Sequence, residues 1–367
     1  MKILLVSLHL VEYAVELANG LAAANEVHLV LSANRVARTL GGEFYGKLDD
    51  SIKCTLINKR SIWSAATWRS IWSVFKMLRT WDYDIVHLQE CGNPLNLLFL
   101  LFARKPVVIT IHDVTLHPGH EASSVKTWRL WVRGKLIKYG YKKVIVHGEN
   151  LKKMFLDHYE KPPRDVFAVP HGCLFSFVNG KKRQPAEEEP HTVLFFGRME
   201  KYKGLKFLID TEPLVSKRLP DFKIIVAGAG DDLELHRKAL LASPHFELHD
   251  HYIPNPEVPA LFERASAVVL PYIEASQSGI AAMAFAFGKP VIATDVGSLS
   301  ELVHDGKTGR IVPAKDREKL ADAIVDLLEN REKRFAMGRE ASRLAHTELG
   351  WRNIAQLTLN VYKDALN

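Results

Sequence analysis

The stretch that decides the fold is Val268-Val269-Leu270-Pro271-Tyr272-Ile273-Glu274-Ala275-Ser276-Gln277-Ser278-Gly279-Ile280-Ala281-Ala282-Met283-Ala284-Phe285-Ala286-Phe287-Gly288-Lys289-Pro290-Val291-Ile292-Ala293-Thr294-Asp295-Val296-Gly297-Ser298-Leu299-Ser300-Glu301. A continuous apolar run, 267–270, reads as a buried strand that ends at Pro271. A polar loop carrying Glu274 follows. Small and apolar residues from Ser278 to Gly288 predict a helix. Residues 291–294 read as a second buried strand, and the turn Asp295-Val296-Gly297 opens another helix. Two strand ends and two helix starts are expected side by side, at the edge where open parallel sheets bind ligands. Free N–H groups and the dipole of a helix start favour an anion such as phosphate there.

The alternation extends in both directions. Upstream, strands are expected at 2–7, 26–31, 52–57, 85–88, 107–111, 144–146 and 166–169. Helical patterns fall between them at 11–24, 63–80, 93–102, 126–139 and 151–158. Downstream of a polar, charged segment, strands are expected at 192–196, 223–227, 246–248, 267–270, 291–293 and 310–312. Helices are expected at 205–218, 233–241, 256–263, 279–287, 316–329 and 332–344, with a last one at 351–366. Apolar strands alternating with amphipathic helices give parallel, doubly wound sheets. A chain of 367 residues is too long for one ordinary core. The expected division is 1–178, a linker at 179–190, a second domain at 191–350, and a tail at 351–367 that packs back on the first domain. Two such sheets make the cleft between them the default site.

Composition narrows the class. The chain is 47% hydrophobic and 25% charged. Its three cysteines, Cys54, Cys91 and Cys173, match no metal-ligand spacing, as expected of a reduced, cytoplasmic chain. The first residues are apolar but short and read as a buried strand, not a signal peptide. The longest apolar run, 95–103, is about half a bilayer span, so no membrane-crossing helix is expected. The net charge of +7 is uneven: residues 1–180 hold 23 Lys and Arg against 15 Asp and Glu, and the remainder 26 against 27. The basic surplus of the first half points to an anionic partner. Nucleic acid is not expected, because no recognition motif accompanies the basic residues.

Two motifs bear on chemistry. Gly197-Arg198-Met199-Glu200-Lys201-Tyr202-Lys203-Gly204 leaves one strand and enters a helix. Gly197 lets backbone approach a ligand, Arg198 can grip two oxygens and Lys203 adds a point charge, a set suited to a diphosphate. The same spacing also fits an ordinary basic turn. In the opening stretch, Ser276, Gln277, Ser278 and Gly279 offer backbone N–H groups. Glu274 reads as a site carboxylate or as a solvated loop residue.

These motifs, in their order and spacing, resemble the nucleotide-sugar-dependent glycosyltransferases of family 4, with the GT-B fold of two Rossmann-like domains facing each other across a cleft. Further matching residues are His112-Asp113, Pro170-His171-Gly172, Gly288-Lys289-Pro290-Val291, Asp295 through Glu301, and Asp305-Gly306-Lys307-Thr308-Gly309. The resemblance implies a donor nucleotide sugar held mainly by the second domain, with Arg198 and Lys203 as its diphosphate pair. It implies no metal and no other cofactor. His112 would lie near the donor sugar, though a histidine there also reads as one satisfying backbone groups at a strand end; Asp113 would orient a sugar hydroxyl or cap a turn, and His171 would serve as a hinge or backbone-positioning residue. Transfer would proceed with retention, to a glycan or lipid-linked acceptor. Asp82-Tyr83-Asp84, an Asp-x-Asp sequence, reads as a strand-entry turn rather than a metal site.

The sequence departs from the family's Glu-x7-Glu pattern. Counted back from Gly288, the two positions hold Ala275 and Met283, with Glu274 one residue from the first. The ribose contact implied for the second position then falls to backbone groups or another side chain. Leu8-His9-Leu10 also replaces the usual Gly-Gly pair after the first strand. An accessory protein of the same fold, or a sugar-nucleotide epimerase, fits these departures too.

One feature stands outside the motifs. Residues 126–143 hold seven Lys and Arg and no acid, with Trp128 and Trp131. Residues 60–81 add four more cations with Trp63, Trp68, Trp72 and Trp81. Trp68, Ile71, Trp72, Phe75 and Leu78 fall on one helical stripe. It reads either as a core-facing stripe or as an interfacial helix on anionic lipid, which would put the protein at the inner face of the plasma membrane.

Overall fold

A computed structural model describes residues 1–41, 44–58, 65–89, 94–114, 133–178 and 186–367. The chain forms two compact units. The first contains β1 (Lys2–Ser7), α1 (Val11–Ala22), β2 (Glu26–Ser32), α2 (Ala33–Thr39), β3 (Lys53–Ile57), α3 (Ala65–Thr80), β4 (Ile85–Gln89), α4 (Pro94–Phe102), β5 (Val107–Ile111), β6 (Lys143–Val146), α5 (Glu149–His158) and β7 (Val166–Ala168). Its sheet is parallel, in the order β3-β2-β1-β4-β5-β6-β7. The second unit contains β8 (Thr192–Phe196), α6 (Leu205–Ser216), β9 (Lys223–Ala227), α7 (Asp231–Ala242), β10 (Phe246–His249), α8 (Val258–Arg264), β11 (Ala267–Leu270), α9 (Gly279–Ala286), β12 (Val291–Thr294), α10 (Leu299–Leu302), β13 (Gly309–Val312), α11 (Arg317–Glu329) and α12 (Arg331–His346). Its parallel sheet runs β10-β9-β8-β11-β12-β13. In both sheets the order reverses beside the first strand, which opens a crevice at the carboxyl ends of the strands.

The central strands are largely apolar because each sheet is covered on both faces. Along β8, Leu194 and Phe196 enter one core while Val193 and Phe195 enter the other. The neighbouring strand β11 divides in the same way, with Val268 and Leu270 on one side and Ala267 and Val269 on the other. Each large side chain buried this way contributes roughly 1.5–3 kcal/mol. Helix α9 lacks a polar face because it is sandwiched between this sheet and α12. A Cβ on Gly338 of α12 would stand 2.3 Å from the Gly288 carbonyl, so only glycine permits that approach.

The last helix, α13 (Trp351–Leu366), belongs to the first unit and packs on α1. A Cβ on Gly20 would meet the Trp351 carbonyl at 2.7 Å, and one on Gly172 would meet the Trp351 ring at 2.6 Å. Buried Lys143 pairs with Asp165 at 2.8 Å and with Asp364 of α13 at 2.5 Å.

The units differ from the sequence expectation at their junction. Residues 173–178 belong to the second unit, where the Cys173 N–H donates to the Leu349 carbonyl at 3.1 Å. Residues 186–190 are docked on that unit rather than free. Glu188 pairs with Lys289 at 3.0 Å and Arg334 at 3.1 Å, and Glu189 with Arg264 at 2.6 Å. Residues 179–185 lie outside the described residues. Helix α2 was not expected. Residues 126–132 of the expected 126–139 helix are not described, and Leu136–Gly140 is wound as a π-helix.

Candidate functional site

The carboxyl edge of the second sheet brings the two sequence motifs together. The Ile273 N–H donates to the Tyr202 carbonyl at 2.7 Å, and a Cβ on Gly204 would stand 2.0 Å from the Pro271 carbonyl. Gly204 also has a φ of +73°, so glycine is needed there twice over. The 197–204 loop is thereby held against the loop that precedes α9. The Gly297 turn closes the other side: a Cβ there would stand 1.7 Å from the Ala275 carbonyl, and the Ser298 N–H donates to the Ser276 carbonyl at 3.2 Å.

Lys203 lies at the centre of this edge and is 6% exposed. A Cβ on Gly197 would stand 2.8 Å from its Nζ and 3.6 Å from the Ile280 side chain. The ammonium therefore sits beside the first turn of α9. It lies 5.8 Å from the Tyr272 ring centroid, and among the described residues it makes no ion pair. Burial, reinforced by the Arg198 charge, pushes its pKa down to about 8. Arg198 is exposed, with Glu200 3.7 Å away. At the start of α9 the Ser278 hydroxyl accepts from the Ala281 N–H at 3.3 Å. This N-cap leaves the preceding N–H groups of Gly279 and Ile280 pointing out of the helix end. The Gln277 Oε1 is shielded from solvent without a hydrogen-bond partner. The edge thus offers two cations, helix N–H groups and one unused acceptor, an arrangement that can hold an anion joined to a hydroxyl-bearing group.

Other expected residues lie differently. Glu274 is exposed on the loop between β11 and α9. Met283 is 5% exposed and lies in the apolar core, so its position has no polar role. Asp82 and Asp84 bind Lys2 at the amino edge of the first sheet, through its Nζ at 3.0 Å and its backbone N–H at 2.7 Å, so they form a strand-entry turn. Sequence reading missed Gly228 and Gly230. Their would-be Cβ atoms stand 1.9 Å from the Gly197 carbonyl and 2.3 Å from the Met199 carbonyl. The signal was present as Gly-Ala-Gly at the end of a strand.

In the first unit, His112 follows β5 and is 6% exposed. Its Nδ1 lies 2.9 Å from His147 Nε2, and its Nε2 lies 2.9 Å from the Gln89 amide. Burial, helped by the neighbouring His147, His171 and His87, holds its pKa well below the usual imidazole value. Asp113 is exposed, and its carbonyl accepts from Arg133 Nη2 at 2.6 Å.

The tryptophan stripe is split. Leu78 and Val74 of α3 are buried, whereas Trp68 and Trp72 are 62% and 66% exposed. With Ile71, Phe75, Leu98 and Phe102 these two rings line an apolar groove of about 280 Å³ between α3 and α4. The core-facing reading therefore fails for both tryptophans. The stripe is wider than the face one sheet can cover, and its outer edge remains in solvent. Trp63, Trp128 and Trp131 lie outside the described residues.

Comparison with known proteins matches each half of the chain. A family model described as Glycosyltransferase Family 4 matches residues 10–173, and one described as Glycosyl transferases group 1 matches residues 190–330. A phosphatidyl-myo-inositol mannosyltransferase of Mycolicibacterium smegmatis is 27% identical over 296 residues, covering 79% of this chain and 73% of that protein. A D-inositol 3-phosphate glycosyltransferase of Paenarthrobacter aurescens is 32% identical over 181 residues, covering 48% and 44%. Among solved structures, Anabaena HepE in complex with UDP and glucose superposes with a TM-score of 0.74 at 18% identity. That match covers 99% of this chain and 100% of the other and bears on the fold.

Proposed function

Because the chain belongs to the GT-B glycosyltransferases, joining a family 4 domain to a group 1 domain, we propose that it moves a sugar from a UDP- or GDP-sugar to a hydroxyl of a glycan or lipid-linked acceptor, with retention of anomeric configuration. The observation that carries the donor half of this reading is Lys203, a buried ammonium without an ion-pair partner among the described residues, beside Gly197 and the start of α9. A diphosphate is the partner that such a site lacks.

In this reading the chemistry is electrostatic. Negative charge grows on the diphosphate as the sugar leaves. Arg198, Lys203 and the N–H groups of Gly279 and Ile280 are fixed in advance where that charge develops. The chain then needs no metal or other cofactor. Gly197 lets the phosphates approach. Gln277 Oε1 is a candidate acceptor for a ribose or sugar hydroxyl, filling the role that Met283 has lost. Ser276 and Ser278 shape the loop. Glu274, His112 and Asp113 orient the donor sugar. The leaving phosphate assists deprotonation of the acceptor on the same face.

The relatives' names support an acceptor that bears an inositol or a lipid. Trp68, Trp72 and the groove beside them support docking of the first unit on an anionic membrane, with its basic surplus adding attraction. Among the described residues no helix is long and apolar enough to cross a membrane. The reading places the enzyme at the inner face of the plasma membrane, in glycolipid or polysaccharide biosynthesis. Its test is transfer from UDP- and GDP-sugars to inositol phosphates, phosphatidylinositol and glycans, with the product's anomeric proton followed by NMR. A retained configuration is expected. An inverted product, or no transfer to any of these acceptors, contradicts the reading.

A further inference from the structure

The first unit gathers four histidines at and below the carboxyl edge of its sheet, and their hydrogen bonds have a direction. His147 Nδ1 lies 3.0 Å from the Val169 carbonyl. A carbonyl only accepts, so the proton of this ring is on Nδ1. A neutral imidazole carries one N–H, which leaves Nε2 as an acceptor. His112 Nδ1, 2.9 Å from that Nε2, must then donate. His112 Nε2 is left as a lone pair and needs a donor. A 180° turn of the Gln89 amide, which exchanges its oxygen and nitrogen, supplies one at 2.9 Å. The Gln89 oxygen then faces His87 Nε2, 3.3 Å away, whose N–H also reaches Thr110 Oγ1 at 2.7 Å. His87 Nδ1 accepts from the Tyr362 hydroxyl of α13 at 2.6 Å. Every ring nitrogen of His87, His112 and His147 then has a partner, and none of these three rings is charged. The reverse order needs a second proton on His147, hence a buried cation to which the described residues of the cluster offer no carboxylate. Tyr13 braces the rings from one side, its centroid 5.0 Å from that of His112 and 5.6 Å from that of His147.

We propose that His147 is the positioning residue of His112: anchored on the Val169 carbonyl, it locks His112 as the Nδ1–H tautomer, so that His112 meets a ligand through an acceptor nitrogen. The proposal rests on the reading of His112 as a donor-sugar residue. It gives that reading a chemical sense. A sugar hydroxyl can replace the Gln89 amide as donor to Nε2, and His112 does not act as an acid.

Long-range 1H–15N correlation spectra of the histidine-labelled enzyme at pH 7, assigned with His112→Gln and His147→Gln, test the lock directly. Both rings are expected as neutral Nδ1–H tautomers. An Nε2–H tautomer or an imidazolium at His112 overturns the proposal. In turnover, His147→Leu is expected to lower kcat roughly tenfold or more, with nucleotide affinity unchanged. His147→Gln, whose oxygen can accept from Nδ1–H, should recover much of that loss. Should His147→Leu fail to fold, the wild-type spectra and the Gln variant decide. Wild-type kcat in a folded His147→Leu also overturns the proposal. Undiminished transfer by His112→Ala refutes the donor-sugar reading instead, and the spectra distinguish that failure from a failed lock.

Discussion

At the scale of single residues, Lys203 is where stability and function oppose each other. Its pKa is lowered from 10.5 to about 8 by burial. Between these values the unfolded chain binds the proton and the folded one does not, so stability rises as pH climbs from about 8 to 10.5. Below about 8 the folded state carries a buried charge that disfavours it by on the order of 3 kcal/mol. Lys203→Met removes that penalty at similar volume. The ligand-free variant is expected to melt several degrees higher than the wild type at pH 7, with the gap narrowing toward pH 10, as differential scanning calorimetry would show. A variant that melts lower at pH 7 would mean that the ammonium has a partner in the folded chain. Lys203 was legible in the sequence as a cation between glycines, but its burial was not, since that depends on Tyr272 and Ile280, some 70 residues away in the chain. Gln277 was legible as a backbone N–H donor of the site, but not its side-chain oxygen, because an unused acceptor is a property of packing.

At the scale of elements, strands and helices were legible because continuous apolar runs mark strands covered on both faces and α9 has no polar side. The fate of the α3 stripe was not. Periodicity shows that Trp68, Trp72 and Leu78 share a face, but what covers that face is decided by α4 and the sheet. Only Leu78 reaches the core, while Trp72 stacks on Phe75 with centroids 5.8 Å apart at the surface. The polar segment before β8 misled in the opposite way. Its glutamates look like linker residues, yet their partners Arg264, Lys289 and Arg334 are 75–146 positions distant. If the α3–α4 groove meets a membrane, Trp68→Ala with Trp72→Ala should cut binding to phosphatidylglycerol vesicles roughly tenfold in flotation at low salt. The melting temperature should change little, because both rings are exposed. Equal binding by the double variant would place the membrane contact elsewhere.

At the scale of the whole molecule, the chain builds the same doubly wound order twice and returns α13 to the first unit. The repetition was legible from alternation alone. The changeover at Gly172–Cys173 was not, because residues 173–178 are as apolar as the strands before them and only contacts distant in sequence, with Ala282, His346 and Leu349, assign them to the second unit. In the proposed site the second unit holds a nucleotide diphosphate through a buried lysine whose pKa is lowered to about 8 in the free protein. Binding then draws a proton onto Lys203 whenever the pH exceeds about 8. The direct measurement is calorimetric titration of UDP and GDP from pH 6.5 to 9.5 with the wild type and Lys203→Met. Wild-type affinity for at least one nucleotide should be flat below pH 8 and fall by up to about tenfold per pH unit above it. Binding by the variant should be weak and independent of pH. Equal affinity in the two proteins, or a wild-type profile that is flat through pH 9.5, would refute this role of Lys203.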